Sequence, residues 1–149
     1  MTPRYGDPRE PGRRYRRRAG AYAILLREAR VLLTHQSDPH DEFQLPGGGI
    51  EPGESPIRAL HREVLEETGW RIAPQRRLGA FRRYTFMPEY DLWAEKLCII
   101  YLARPVRRLS PPSEPGHSVH WAAPLQAARM VGNPGDAAMI RAALRALLV

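Results

Sequence analysis

Residues 48–70 read GGIEPGESPIRALHREVLEETGW. Ser55 followed by Pro56 is a helix start, because serine can accept from the free N–H groups of a first turn and proline is tolerated at the first helical position. The spacing predicts a helix from Pro56 to about Thr68, stopped by Gly69. Just before it, EPGE supplies a turn with Pro52 and Gly53 at its central positions. On a wheel of about 100° per residue with Ile57 at zero, Leu60, Val64 and Thr68 fall within about 60° and form the stripe expected to face the core. Glu63, Glu66 and Glu67 fall at roughly 240°, 180° and 280°, a compact sector beside that stripe.

Three carboxylates so close do nothing for the helix itself, since like charges three or four residues apart cost about 0.2–0.5 kcal/mol per pair. A divalent cation explains them. Magnesium takes oxygen ligands in octahedral geometry and keeps several waters, which leaves positions for substrate phosphate oxygens. The glycines ahead of the helix, Gly47, Gly48 and Gly49, allow backbone conformations closed to other residues and let a phosphate or a metal approach closely.

Gly48, then Glu54 after five residues, then after seven more the run Arg62-Glu63-Val64-Leu65-Glu66-Glu67-Thr68-Gly69-Trp70, resembles the Nudix box GX5EX7REUXEEXGU, where U is apolar. All seven fixed positions agree. At about 7% usage each, such a match at a given start has a chance probability on the order of 10⁻⁸. The one departure is Trp70, where Ile, Leu or Val is more usual. The resemblance implies an α/β (α+β) fold, an α/β/α sandwich with a mixed sheet in which the box forms a loop, a helix and a loop. It also implies hydrolysis of a phosphoanhydride bond in a nucleoside diphosphate linked to another group, or in a nucleoside triphosphate, with Mg2+ or Mn2+.

By that resemblance Glu63 and Glu67 are the main metal ligands, Glu66 a third, and the carbonyl of Gly47 a fourth. Arg62 orients a box glutamate, with Glu66 in reach at i, i+4. Glu54 sits where a carboxylate is favoured by the N–H groups of the helix start. The general base comes either from the box, as Glu66 or Glu67, or from an acid on a later loop, Glu114 foremost, with Glu89, Asp91 and Glu95 behind it. Outside the box, Phe81, Tyr84, Phe86 and Trp93 are candidates to stack on a base, and Arg27, Arg82 and Arg83 to contact phosphate.

Working outward, AYAILLRE and RVLLTHQ read as an antiparallel pair of strands, and FQLPGGG as a short extended segment. Beyond the helix, RLGAFRRYTF and WAEKLCIIYLARPV are longer strands, the second with a nearly continuous buried run, LCIIYLA. RRLSPPSEPGH is a proline-rich loop. SVHWA is a strand, PLQAARM a short helix and GDAAMIRAALRALLV an amphipathic helix.

The 149 residues are in the range of one domain. Residues 1–20 hold +5 of the net charge of +7. Residues 1–18 therefore read as a basic, mobile arm and 19–149 as the hydrolase domain. Such an arm is compatible with a nucleic-acid partner, with a contact to a second copy in a homodimer, or with no partner. The competing class is an RNA-binding module, and a combined reading is an RNA 5′-end pyrophosphohydrolase. Cys98 is the sole cysteine, so neither an intrachain disulfide nor a cysteine metal cluster is expected. With no long apolar run, the expectation is a soluble cytoplasmic protein with a small-molecule nucleotide substrate and no membrane partner.

Overall fold

The run LCIIYLA, residues 97–103, forms the middle of the sheet in the computed structural model, which describes residues 2–38, 41–113 and 115–147. It belongs to β6 (Leu92–Arg108), which pairs in parallel with β1 (Arg16–Arg27) on one side and antiparallel with β5 (Trp70–Met87) on the other. Cys98, Ile100 and Leu102 pack into one apolar layer, and Ile99, Tyr101 and Ala103 into the other. A strand covered on both faces has no reason to alternate with polar residues, hence the continuous run.

β2 (Arg30–Gln36), β3 (Glu42–Gln44), β4 (Gly47–Gly49) and β7 (His117–Ala122) complete the mixed sheet. Its path is β3-β2-β1-β6-β5, with β4 on β1 and β7 on β2. Helix α1 (Pro56–Thr68) covers one face through Leu60 and Val64. Helices α2 (Pro124–Met130) and α3 (Pro134–Leu147) cover the other through Ala127, Ala128 and Ile140. The expected sandwich of helix, mixed sheet and helix is what the chain forms. Each fully buried Leu, Ile or Phe of these layers contributes about 1.5–3 kcal/mol.

The expected β1–β2 hairpin forms, yet only Leu26↔Val31 and Arg27↔Arg30 pair across it. Glu28 and Ala29 turn the chain with φ of 49° and 61°. Beyond them β1 continues along β6, while β2 pairs with β7 from Val31↔Ala122 to Gln36↔His117. Two local strands thus open into two halves of the sheet.

The ends of α1 are as expected: Ser55 accepts from the Arg58 N–H at 3.2 Å, and Gly69 stops the helix at φ 77°. Its rotation differs. Ile57, expected in the core stripe, is 39% exposed, and the buried residues are Ala59, Leu60, Val64, Glu67 and Thr68. On the wheel that arc is centred near Glu67 rather than on Ile57. The reason is β4, which packs against α1 and brings a glycine backbone over the side that carries Glu63 and Glu67.

The basic N-terminal segment lies along β5. The Tyr5 N–H donates to Arg82 O at 3.0 Å, the Arg82 N–H donates to Pro3 O at 2.8 Å, and the Tyr5 ring stands edge-on to Phe81 with centroids 5.7 Å apart. Further on, Tyr15 packs on Tyr84 and Trp93, Arg13 stacks over Trp93 at 3.7 Å, and Arg16 already begins β1.

Candidate active site

The box builds a cavity of about 260 Å³ between its glycines and its helix, lined among others by Gly47, Gly48, Glu63 and Glu67. Gly47 has φ 145°, and a Cβ there would collide with the Ala21 carbonyl and lie 2.6 Å from Tyr22 Cα. A Cβ on Gly48 would occupy the place of the Glu63 carboxylate. Only glycine lets the backbone come this close to the acids.

The segment is laced down on both sides. Ala23 N–H donates to Pro46 O at 2.9 Å and Ile50 N–H to Ala19 O at 3.0 Å, with β4 paired on β1 between them. Leu45 N–H donates to Asp136 Oδ2 at 3.2 Å. Asp136 is buried at the start of α3, whose first N–H groups are taken by Asn133 Oδ1. Burial pushes the Asp136 carboxyl up to about 6, opposed in part by that Leu45 hydrogen bond.

Arg62 is the hub of the acidic cluster. Its Nε and Nη2 donate to the two oxygens of Glu54, both at 2.8 Å, its Nη1 to Glu63 Oε1 at 2.9 Å, and Nη2 also to Gly49 O at 3.0 Å. The i, i+4 partner read from sequence, Glu66, is farther away at 3.6 Å. The turn before the helix offers both Glu54 oxygens to the planar guanidinium, a bidentate geometry that a single oxygen one helical turn on does not match. That fork holds the Glu54 carboxyl down at about 2, with the Glu51 backbone hydrogen bond second, and holds the Arg62 pKa well above its ordinary value.

Of the site residues expected from sequence, Gly47, Glu63 and Glu67 meet in the cavity and Arg62 braces Glu63 from outside it. Glu66 does not line it; its side chain is 41% exposed and its backbone carbonyl accepts from Ser113 N and Oγ, which ties the 109–116 loop to the helix. Glu114, on that loop, lies outside the described residues. Arg83 and Phe86 line an adjoining recess. Tyr84 is on the other face of β5, where its hydroxyl donates to Glu95 at 2.9 Å. Arg27 is at the far end of β1 over the Trp70 ring, away from the cavity. Phe81, read as a stacking candidate, is instead fully buried in the core. Lys96, Arg18 and Tyr90 line these surfaces and were not expected; each is one residue of a strand or turn with no local signal.

The donors suit a hard cation. Two carboxylates and a glycine backbone share one cavity, and no thiol lines it. Among the described residues no three His, Cys, Asp or Glu side chains close around a metal by themselves. Magnesium bound through one or two carboxylates, with waters and substrate phosphates in its other positions, asks for no more.

The profile of the NUDIX domain family matches residues 15–143, and the chain belongs to that family. It is similar to a NUDIX hydrolase of Nitrosomonas europaea, at 21% identity and TM-score 0.70 over 88% of this chain and 90% of that one. A MutT NUDIX hydrolase of Burkholderia pseudomallei has the same fold, with 23% identity and TM-score 0.62 over 85% and 97%. Among curated proteins it is 38% identical over 74 residues to a Bacillus subtilis protein provisionally named an 8-oxo-dGTP diphosphatase, covering 50% of each. It is also 38% identical over 80 residues to an RNA pyrophosphohydrolase of Pectobacterium atrosepticum, covering 51% of this chain and 45% of that protein. The chain thus spans about half the length of these curated relatives. Among the described residues no helix is long and apolar enough to cross a membrane.

Proposed function

We propose that this chain is a divalent-metal-dependent pyrophosphohydrolase, cleaving a phosphoanhydride bond in a nucleoside diphosphate linked to another group or in a nucleoside triphosphate. One observation carries the reading: Glu63 and Glu67 share a cavity with Gly47, while Arg62 is locked between Glu54 and Glu63. Curated relatives whose names denote diphosphatase and pyrophosphohydrolase activities support it.

In this reading Glu63, Glu67 and the Gly47 carbonyl hold Mg2+ or Mn2+, with Glu66 at the margin. The metal, when bound, neutralises phosphate charge and lowers the pKa of a coordinated water. Arg62 keeps the Glu63 carboxylate oriented toward the cavity, and the Gly47–Gly49 backbone admits the phosphates. Proton removal from the attacking water falls to Glu66, Glu67 or Glu114, and the carboxylate within hydrogen-bond reach of that water is the base. Its setting is cytoplasmic, in keeping with a sole, buried cysteine that has no partner in the chain for a disulfide.

A panel of nucleotides with Mg2+, followed by phosphate and nucleotide product release, tests the reading. Turnover that depends on the metal and stops with chelator is expected; no turnover on any nucleotide rejects it. A second reading, action on the 5′ end of RNA, is favoured by the Pectobacterium relative's name and by the arginine and tyrosine side chains of the N-terminal segment.

A further inference from the structure

Three cations stand in register across three neighbouring strands. Arg18 of β1 pairs with Lys96 of β6, and Lys96 with Arg83 of β5. Residues aligned on adjacent strands share a face of the sheet, and Cys98, two positions along β6, belongs to the layer beneath α2 and α3. Arg18 and Lys96 line the cavity that holds Glu63 and Glu67. Lys96 and Arg83 line the adjoining recess, which shares Gln36, Gln44 and Met87 with that cavity. The row therefore leads outward from the acids.

Like charges directly opposite one another destabilise a sheet. One position away, on the other face of the same three strands, Arg17, Glu95 and Tyr84 form a compensated row: Arg17 Nε donates to Glu95 at 3.0 Å and Tyr84 Oη at 2.9 Å. The cationic row has no such member. Among the described residues, no carboxylate lies within 4.0 Å of Arg18, Lys96 or Arg83. The Arg18 Nε is buried and makes no hydrogen bond, and its guanidinium lies 4.4 Å from the Tyr90 ring centroid. Glu42 and Glu89 line the recess, and Asp136 is buried beyond it; Glu89 and Asp136 act on Lys96 only through space. Burial lowers the Lys96 pKa, and Arg83 pushes it the same way.

We propose that Arg18, Lys96 and Arg83 form a seat for a phosphate beyond those held at Glu63 and Glu67, so that the preferred substrate carries three or more consecutive phosphates on a nucleoside. The proposal rests on the pyrophosphohydrolase reading. A nucleoside diphosphate joined to a neutral sugar places no anion on the row; a triphosphate does, whether free or at the 5′ end of an RNA.

Two measurements test it. In the first, kcat/KM is compared for Lys96→Gln, Arg83→Gln and Lys96→Arg on a nucleoside triphosphate, a 5′-triphosphorylated oligonucleotide and a nucleoside diphosphate sugar. The glutamine variants are expected to lose about tenfold more on the triphosphates than on the sugar, through KM, with Lys96→Arg restoring most of the loss. Equal losses on all substrates overturn the seat, and the better of the two triphosphates identifies its source. In the second, inorganic tripolyphosphate and pyrophosphate are titrated calorimetrically in excess EDTA, where no metal contributes. Tripolyphosphate should bind the wild type about tenfold more tightly than Lys96→Gln; identical affinities, or no binding to either, overturn the proposal. This titration needs no turnover, so a chain inactive toward every nucleotide would reject the hydrolase reading while the seat is judged by binding.

Discussion

Arg62 grips Glu54 through two hydrogen bonds of 2.8 Å, Nε to Oε2 and Nη2 to Oε1. The fork holds the Glu54 carboxyl at about 2, below its ordinary 4.5. A carboxylate with a depressed folded-state pKa stabilises fully above the unfolded value and loses that contribution as pH falls through the folded value. Wild type should therefore lose stability between about pH 4.5 and pH 2 in part through this group, and Glu54→Gln should lose less across that window. Urea midpoints at pH 6 and pH 3 for both proteins check it. Equal slopes would mean that the fork does not set this limb.

Glu67 is 5% exposed, at the centre of the buried arc of α1, yet it lines the cavity. Glutamine has the same shape, so Glu67→Gln should fold normally and lose about 10²–10⁴-fold in kcat with saturating Mg2+. Circular dichroism establishes the fold and steady-state assays the loss. Unimpaired turnover would remove Glu67 from the site.

Gly47 is held at φ 145° against the Ala21 carbonyl. Gly47→Ala should cost roughly 1–3 kcal/mol from backbone strain alone, with the steric clash added. Denaturant unfolding measures the loss, and a stability within error of wild type would show that the β4 backbone relaxes away from β1.

Asp136 presents the opposite sign from Glu54. Burial raises its carboxyl from 3.8 to about 6. Between those values the folded chain keeps a proton that the unfolded chain has released, so stability falls as pH rises through the window and levels off above it. Asp136→Asn keeps an oxygen for the Leu45 N–H and removes the charge. It should stabilise by about 1–3 kcal/mol at pH 7.5 and by little at pH 4. Thermal unfolding at the two pH values decides it, and a pH-independent difference would contradict the assignment.

The local features of α1 were legible because each is written within a few residues: the Ser55 cap, Pro56, the Gly69 stop and the box spacing. Its rotation was not. Ile57 is the more apolar residue, but β4 packs against the flank that carries Glu63, and Glu67 rather than Ile57 is buried. The aromatic candidates divided for a similar reason. Strand alternation put Phe81 in the core and Tyr84 on the outer face, and period two alone does not say which face is which.

By itself the sequence determined the family, the helix that carries the acids and the glycine run that precedes it, because capping, turn chemistry and motif spacing act over short stretches of chain. Only the tertiary structure decided what surrounds them. Asp136 reaches Leu45 across 91 positions, and the parallel pairing of β1 with β6 sets Arg18 beside Lys96 and Arg83. Such neighbours arise from strand register and layer packing, and these are fixed when the whole core closes rather than by any local pattern.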